Sequence, residues 1–192
     1  MSDITRPTRI LWRSEQLQSS ERFTGGATAD GWRLEGTVVV PIDGEPAEIR
    51  YGVDLDTGWR TRRAVVDLYT AEAHRTITLT ADGEGRWSVE GAPAQPLDGC
   101  IDIDLGFSPA TNTVQVRRLG LDVGQEHTLP VAWLSFPELE LQPLEQTYTH
   151  LAEDRWQYAS GTFKAYLDVD PNGFVLRYGD DELWKAVAHR TA

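Results

Sequence analysis

Cysteine is nearly absent from this 192-residue sequence, in which Cys100 is the only instance. One cysteine cannot form an internal disulfide, and the paired cysteines of a zinc site or a redox motif are missing. The four histidines show no metal-ligand spacing, and no glycine-rich motif for a nucleotide is present. We therefore predict a protein that uses neither a metal ion nor a cofactor.

Positive charge is also scarce. The chain has 18 basic residues against 30 acidic ones, a formal net charge of −12, and only Lys164 and Lys185 are lysines. This balance opposes nucleic-acid binding, which needs a basic surface, and it opposes electrostatic docking on anionic membranes. Neither partner is expected from the composition.

Long apolar runs are missing as well. No segment approaches the roughly 18 consecutive apolar residues of a transmembrane helix. The segment MSDITRPTRILWRSEQ has neither the apolar core nor the cleavage site of a secretory signal. We expect no integral membrane association and a cytoplasmic location.

The sequence is rich in apolar residues that alternate with polar ones, which is typical of half-buried strands. The alternating runs are 32–40, 49–55, 76–80, 86–90, 100–105, 163–169 and 174–178. Turn pairs such as Asp43-Gly44, Asp82-Gly83 and Asn172-Gly173 separate several of them. The pattern predicts a mainly antiparallel all-β protein that forms a single domain over residues 1–192.

Some segments are more ambiguous. The apolar segments 129–136 and 139–151 are interpreted as strands buried on both faces. DVDPNG (168–173) resembles the start of a calcium-binding loop, but Gly179 stands where the loop requires glutamate, so a hairpin turn is predicted. Residues 180–189 are compatible with a short helix or a last strand.

One helix is expected, over roughly residues 109–119. Ser108-Pro109 is a typical helix start, and Gly120 is a typical residue for its end. The β-branched residues of this segment make it a poor isolated helix, so the surrounding sheet would have to bury it.

Three aspartates lie in the segment LDGCIDIDLGF (97–107). Alternation places Asp102 and Asp104 on one face of a strand and the aliphatic residues on the other, and Asp98 joins the aspartates if the strand extends back. Three interpretations are open. The aspartates could be charges on a solvated edge strand, the acidic wall of a pocket for sugar hydroxyls, or a catalytic carboxylate pair.

WRTRR (59–63) is the densest basic cluster. Strand alternation separates Arg60 and Arg62 from Trp59, Thr61 and Arg63. These arginines either pair with carboxylates or line a site and orient an anionic group.

Four blocks of the sequence resemble the bacterial family described as "putative glycolipid-binding" proteins. They are DGWRLEG (30–36), YGVDLDTGWRTRR (51–63), LDGCIDIDLGFSPATNTVQVRRLGL (97–121) and VAWLSFPELELQPLEQTY (131–148), and the resemblance extends over about residues 10–185. It implies a spiral β-roll, in which a long many-stranded sheet curls around a single α-helix. It also implies a homodimer with an acidic pocket.

The resemblance assigns candidate ligand-binding residues. Asp98, Asp102 and Asp104 match the most specific block, and Glu35, Trp59 and Arg62 lie in the weaker ones. The predicted function is non-catalytic binding of a glycolipid or a related amphipathic sugar-containing molecule. The alternatives are a hydrolase of a glycosidic or ester bond that uses the Asp102/Asp104 pair, and a structural or interaction dimer without a ligand.

Overall fold

The computed structural model describes residues 7–180 and 182–190. The strands are β1 (Thr8–Ser14), β2 (Ser19–Ala27), β3 (Gly31–Ile42), β4 (Glu45–Asp56), β5 (Thr61–Tyr69), β6 (His74–Ala81), β7 (Trp87–Val89), β8 (Ala92–Pro93), β9 (Asp102–Leu105), β10 (Glu126–Leu134), β11 (Leu141–Ala152), β12 (Arg155–Ser160), β13 (Phe163–Val169), β14 (Val175–Tyr178) and β15 (Trp184–Arg190). The helix α1 (Asn112–Leu119) and the 3-10 helices Gln95–Leu97 and Pro109–Thr111 complete the described elements. The predicted all-β class with one α-helix is confirmed.

All 15 strands belong to one sheet, and its order follows the chain in two meanders. β1 to β8 extend outward in one direction, and β15 back to β9 extend in the other. The two meanders meet where β1 pairs with β15, with Arg9 opposite Arg190. Every neighbouring pair is antiparallel except β9 and β10, which are parallel because the helical segment connects them.

Side-chain alternation sorts each strand into an inner and an outer face. In β1, Ile10 and Trp12 are buried while Arg9, Leu11 and Arg13 are exposed. Aromatic rings fill the inner side near the junction of the two meanders, where the Trp12 and Phe23 ring centroids lie 4.8 Å apart. The concave side of the sheet is therefore a packed core.

The helix begins and ends where the sequence predicts. The Ser108 hydroxyl accepts a hydrogen bond from the Ala110 N–H at 3.1 Å, and Pro109 opens the first helical turn. Gly120 ends α1 with a φ of +55°, the left-handed conformation that glycine adopts without strain. Residues 112–116 are all buried, which confirms that the helix depends on the sheet around it.

The curled sheet closes on itself at β9. The Ile103 N–H donates to the Thr61 hydroxyl at 3.1 Å, although Thr61 lies on β5 of the other meander. The Ile103 carbonyl accepts from the Gln115 side chain at 3.3 Å, and the Leu105 N–H donates to the Thr111 hydroxyl at 3.0 Å. Side chains thus satisfy the outer edge of β9, where a neighbouring strand is missing among the described residues.

Three sequence-based expectations are resolved by the structure. Residues 184–190 of the tail are a strand. DVDPNG forms the turn between β13 and β14, where Asp170 Oδ1 accepts hydrogen bonds from the Asn172 and Phe174 N–H groups. The expectation for 129–136 and 139–151 is wrong in part. Residues 131–136 and 146–150 have no exposed position and approach burial on both faces, whereas Pro130 and positions near both ends of β11 are exposed.

Candidate functional site

The strand β9 carries both aspartates of the DID segment into the interior. All four residues of Asp102–Leu105 are buried. The interpretation of Asp102 and Asp104 as charges on a solvated edge strand is therefore wrong, because the curl of the sheet covers both faces of this edge strand. The two carboxylates nevertheless have different surroundings.

Asp102 is committed to an ion pair with the last turn of α1. Its Oδ1 accepts from Arg118 Nε at 2.6 Å and its Oδ2 accepts from Arg118 Nη2 at 2.8 Å. Burial raises the pKa of Asp102, and the hydrogen bonds and positive charge of Arg118 oppose that rise. Because both oxygens are used, this carboxylate serves to attach α1 to β9.

Asp104 holds a different set of partners. Its Oδ1 accepts from the Thr111 hydroxyl at 3.0 Å, and its Oδ2 accepts from Gln146 Nε2 at 2.6 Å. Burial raises the pKa of Asp104, while the hydrogen bonds from Gln146 and Thr111 lower it. A carboxylate offers about four acceptor positions, so each oxygen retains capacity for another donor.

The hydrogen-bond network continues from Asp104 to the helix. The Tyr148 hydroxyl donates to Gln146 Oε1 at 3.3 Å and accepts from Asn112 Nδ2 at 2.8 Å. Gln146 and Tyr148 are both fully buried. The network holds Asp104 and Asn112 in fixed positions, and both residues border a cavity.

This cavity, called the Asp104 pocket below, has a volume of about 170 Å³. Asp104, Ser108 and Asn112 supply its main polar side chains. Its wall is formed by aromatic and aliphatic side chains, namely Trp133, Tyr158, Phe163, Tyr178, Leu183 and Trp184, together with Leu105 and Gly106. A small pocket with a few polar groups among aromatic rings is a typical ligand site.

Trp184 gives the pocket an unused hydrogen-bond donor. Its ring packs edge-on against Tyr178 with centroids 5.1 Å apart, and the residue is 7% exposed. Its indole Nε1 is buried and has no partner among the described residues. A buried N–H without an acceptor is costly, so a ligand atom that accepted from this group would remove that cost.

A wider groove of about 410 Å³ adjoins the Asp104 pocket. Phe163, Tyr178 and Leu183 line both cavities and join them. The groove also contains polar side chains, among them Gln157 and Lys164. The two cavities together provide a small end with a carboxylate and a wider end with a mixed polar and apolar lining.

Another buried carboxyl group, that of Glu21, lies behind the pocket wall. Glu21 lies on β2 and is 1% exposed. Its Oε1 accepts hydrogen bonds from the Tyr51 and Ser108 hydroxyls. Its Oε2 has no partner among the described residues. Burial raises the pKa of Glu21 to about 8, although the two hydrogen bonds lower it. Ser108 thus connects Glu21 to the start of the helical segment.

The other residues assigned from the sequence lie elsewhere. Asp98 is exposed at the end of the first 3-10 helix, and Glu35 is exposed with its carboxylate 3.3 Å from Arg33 Nε. Trp59 is buried and stacks on Trp32 with centroids 4.7 Å apart. Arg62 is exposed and donates to the Asp82 carbonyl. Of the six assigned residues, Asp104 alone lines the Asp104 pocket.

The interpretation of the three aspartates as the acidic wall of one pocket is therefore wrong for Asp102 and Asp98. Arg118 covers Asp102, and Asp98 does not border the pocket. The aromatic wall was missed because its members come from five different strands, β10, β12, β13, β14 and β15. Only the alternating runs 163–169 and 174–178 give a signal, which concerns Phe163 and Tyr178.

Residues 7–180 and 182–190 contain neither a candidate cation-binding cluster nor a candidate membrane-spanning helix. No group of three or more histidine, cysteine, aspartate or glutamate side chains there could hold a metal ion. None of the helices in this part of the chain is long and apolar enough to span a bilayer.

Comparisons with known proteins agree with this architecture. A sequence model of the family described as "putative glycolipid-binding" matches residues 9–184. The crystal structure of a DUF1089 family protein from Pseudomonas aeruginosa is similar, with 34% identity and a TM-score of 0.78 over 88% of this chain and 92% of that one. No curated protein sequence matches significantly. Because the family match extends over nearly the whole chain, the protein belongs to the "putative glycolipid-binding" family.

Proposed function

We propose that the Asp104 pocket binds the sugar portion of an amphipathic, sugar-containing lipid without catalysing a reaction. The observation that carries the proposal is the pairing of a buried carboxylate with an unpartnered indole N–H inside an aromatic wall. A sugar hydroxyl is both donor and acceptor, so it can donate to Asp104 and accept from Trp184. The family description supports this class of ligand.

The adjoining groove provides room for the rest of the ligand. The Asp104 pocket alone, at about 170 Å³, is smaller than the roughly 300–1,000 Å³ of most ligand sites. Phe163 is 48% exposed and stands between the two cavities. Apolar area covered there by a lipid chain would contribute about 25 cal/mol per Å².

The state of the two aspartates favours binding over hydrolysis. A glycosidase that uses two carboxylates needs both to reach the scissile bond. Arg118 covers Asp102, which does not line the Asp104 pocket, so Asp104 alone of the two can reach a ligand there. We expect no turnover of chromogenic glycosides or esters, and any turnover that Asp104→Asn abolishes would contradict the proposal.

Trp184→Phe is the sharpest test of the proposed site, because it removes the N–H and keeps most of the ring. The probe is n-octyl β-D-glucoside below its critical micelle concentration, titrated by calorimetry. The control amphiphile is tetraethylene glycol mono-octyl ether. Loss of one hydrogen bond of about 1 kcal/mol predicts roughly fivefold weaker binding of the glucoside.

Trp12→Phe is the matched control variant. The Trp12 indole N–H donates to the Val175 carbonyl at 2.8 Å, and Trp12 does not line the pocket. This variant should lose stability but bind the glucoside as the wild type does. Equal binding of both amphiphiles by the wild-type protein, or no co-purifying glycolipid in native mass spectrometry, would contradict the proposal.

The homodimer, which the resemblance to the family implies, and the cytoplasmic location, which is expected from the sequence itself, are parts of the same proposal. Sedimentation velocity at micromolar concentration tests the dimer, for which we expect twice the monomer mass. Fractionation of the source cells tests the location. A monomer without a ligand would argue against both the binding protein and the alternative of a structural dimer.

A further inference from the structure

The outer face of the three central strands has an unusual charge pattern for so acidic a chain. The outward positions of β15, β1 and β2 include five basic side chains and no acidic one. Two of them are paired with nearby carboxylates, since Arg13 contacts Glu15 at 3.1 Å and Lys185 contacts Glu182 at 2.8 Å. Three arginines are left, namely Arg9, Arg22 and Arg190.

Strand register brings these three arginines together. Arg9 lies directly opposite Arg190, and Arg22 lies opposite Leu11, two residues along β1 from Arg9. Directly opposite side chains have Cβ atoms roughly 4.5–5.5 Å apart, and diagonal neighbours roughly 7–8 Å apart. All three arginines line one shallow cavity of about 220 Å³.

None of the three has a carboxylate within ion-pair distance in the part of the chain that the structure describes. Glu35 on β3 is diagonal to Arg22 by register, but its contact is with Arg33. Like charges opposite one another in a sheet reduce stability. An external anion would remove that cost.

The same face exposes apolar side chains between the charges. Leu11 is 40% exposed between β2 and β15, Val39 on the neighbouring β3 is 55% exposed, and Val187 at the irregularity of β15 is 54% exposed. Ala188, directly opposite Leu11, also lines the cavity. Arginines around exposed aliphatic side chains match the phosphates and the acyl boundary of a lipid surface.

We propose that this arginine face, formed by Arg9, Arg22 and Arg190 around Leu11, docks on an anionic phospholipid surface. The net charge of −12 does not prevent this, because the Debye length at physiological salt is about 8 Å. The carboxylates that flank the face, Glu15, Glu35 and Glu182, each contact a basic side chain, so the three arginines dominate the charge that a membrane in contact with the face senses. The proposal does not rest on the sugar-binding function, since its ligand is the phosphate of ordinary lipids.

Vesicle co-sedimentation tests the proposal with the whole chain in 150 mM NaCl. We expect binding to vesicles of phosphatidylserine and phosphatidylcholine in a 3:7 ratio, and at least tenfold weaker binding to pure phosphatidylcholine. Each arginine near an anionic surface contributes about a fivefold factor, which is about 1 kcal/mol converted to affinity. The triple variant R9Q/R22Q/R190Q should therefore bind the anionic vesicles at least tenfold more weakly.

The matched control is R60Q/R63Q/R86Q, which removes the same charge from exposed arginines at β5 and before β7. It should bind as the wild type does, and equal loss in both triple variants would overturn the proposal. Binding of 10 mM inorganic phosphate without binding of vesicles would overturn it in favour of a free anion. A dimer that R9Q/R22Q/R190Q dissociates, again without vesicle binding, would overturn it in favour of a second copy of the chain.

Folding of the triple variant is checked by urea denaturation. Because the substitution relieves repulsion between Arg9 and Arg190, its stability should equal or exceed that of the wild type. Leu11→Ser provides a second variant, which keeps all three arginines and should bind anionic vesicles about tenfold more weakly. Unchanged binding by both this variant and R9Q/R22Q/R190Q would overturn the proposal.

Discussion

Asp102 and Arg118 are joined by two hydrogen bonds, at 2.6 and 2.8 Å, that attach the end of α1 to β9. The carboxylate is fully buried and the guanidinium is 18% exposed. Removing one member of such a pair leaves the other as an unpaired charge in a medium of low polarity, which is strongly destabilising. Removing both members leaves no unpaired charge and can be nearly neutral.

Arg118→Met should lower the free energy of unfolding by about 3–5 kcal/mol, because Asp102 then has no partner. The double variant Asp102→Asn/Arg118→Met should recover most of this loss. Arg33→Met is the control, since Arg33 is 40% exposed beside Glu35 and Asp54 and an exposed pair contributes at most about 1 kcal/mol. Urea denaturation measures all three, and equal losses in the single and double variants would contradict the assignment.

The hydrogen bond from the Ile103 N–H to the Thr61 hydroxyl connects the two meanders, so we expect it to contribute to the stability of the protein. Thr61→Val leaves that N–H buried without an acceptor, at a cost of about 1–3 kcal/mol. Thr61→Ser retains the hydroxyl and should keep the hydrogen bond. Hydrogen exchange at Ile103 should accelerate only in the valine variant, and acceleration in both would show that the methyl group matters instead.

Glu21 predicts a pH dependence of stability. Its folded pKa of about 8 lies above its ordinary value of 4.5, so the folded chain retains a proton that the unfolded chain loses. The contribution of Glu21 is therefore complete below pH 4.5 and is lost as the pH rises to 8. The loss is at most about 1.4 kcal/mol per pH unit.

Glu21→Gln keeps the side chain neutral and should remove this part of the slope. The measurement is the free energy of unfolding in urea at several pH values between 5 and 8. Burial also raises the pKa of Asp102 and Asp104, so the informative quantity is the difference between variant and wild type. Glu140→Gln, at an exposed position, should leave the slope unchanged, and a similar effect of both substitutions would refute the prediction.

Substitution of Gly120 is expected to carry a conformational cost, because this residue ends α1 in the left-handed conformation. A Cβ added there would meet nothing within 4 Å, so its φ of +55° alone opposes substitution. Gly120→Ala should destabilise the protein by about 1–2 kcal/mol, and Gly120→Asn by less, because asparagine tolerates this conformation. Thermal denaturation of the two variants checks the order, which equal losses would contradict.

Local chemistry made part of the fold predictable. Ser108, Pro109 and Gly120 determine the helix through contacts within a few residues, and strands such as β3 and β4 show clear alternation. β2 was missed because Ser19 and Glu21 occupy inward positions, where a strand normally carries apolar residues. Their burial depends on distant partners such as Tyr51 and Ser108.

The candidate site was predictable only at Asp104. The function of each aspartate depends on what the curl of the sheet brings against it, which spacing within β9 cannot reveal. Arg118 neutralises one carboxylate, while Tyr178 and Trp184 from the far end of the chain leave space beside the other. The net charge likewise did not predict the arginine face, because a charge summed over the whole chain carries no information about where the charges lie.

The pairing of β1 with β15 has a consequence for how the chain reaches its native state. All other neighbours in the sheet are consecutive along the sequence, so each can form as soon as its own connection closes. The contact between Arg9 and Arg190 instead joins the two ends of the described chain. Pairing over such a separation closes the largest loop, and topology of this kind slows folding. The pairing of β1 with β15 at the centre of the sheet is thus the last strand contact that a chain emerging from the ribosome can form.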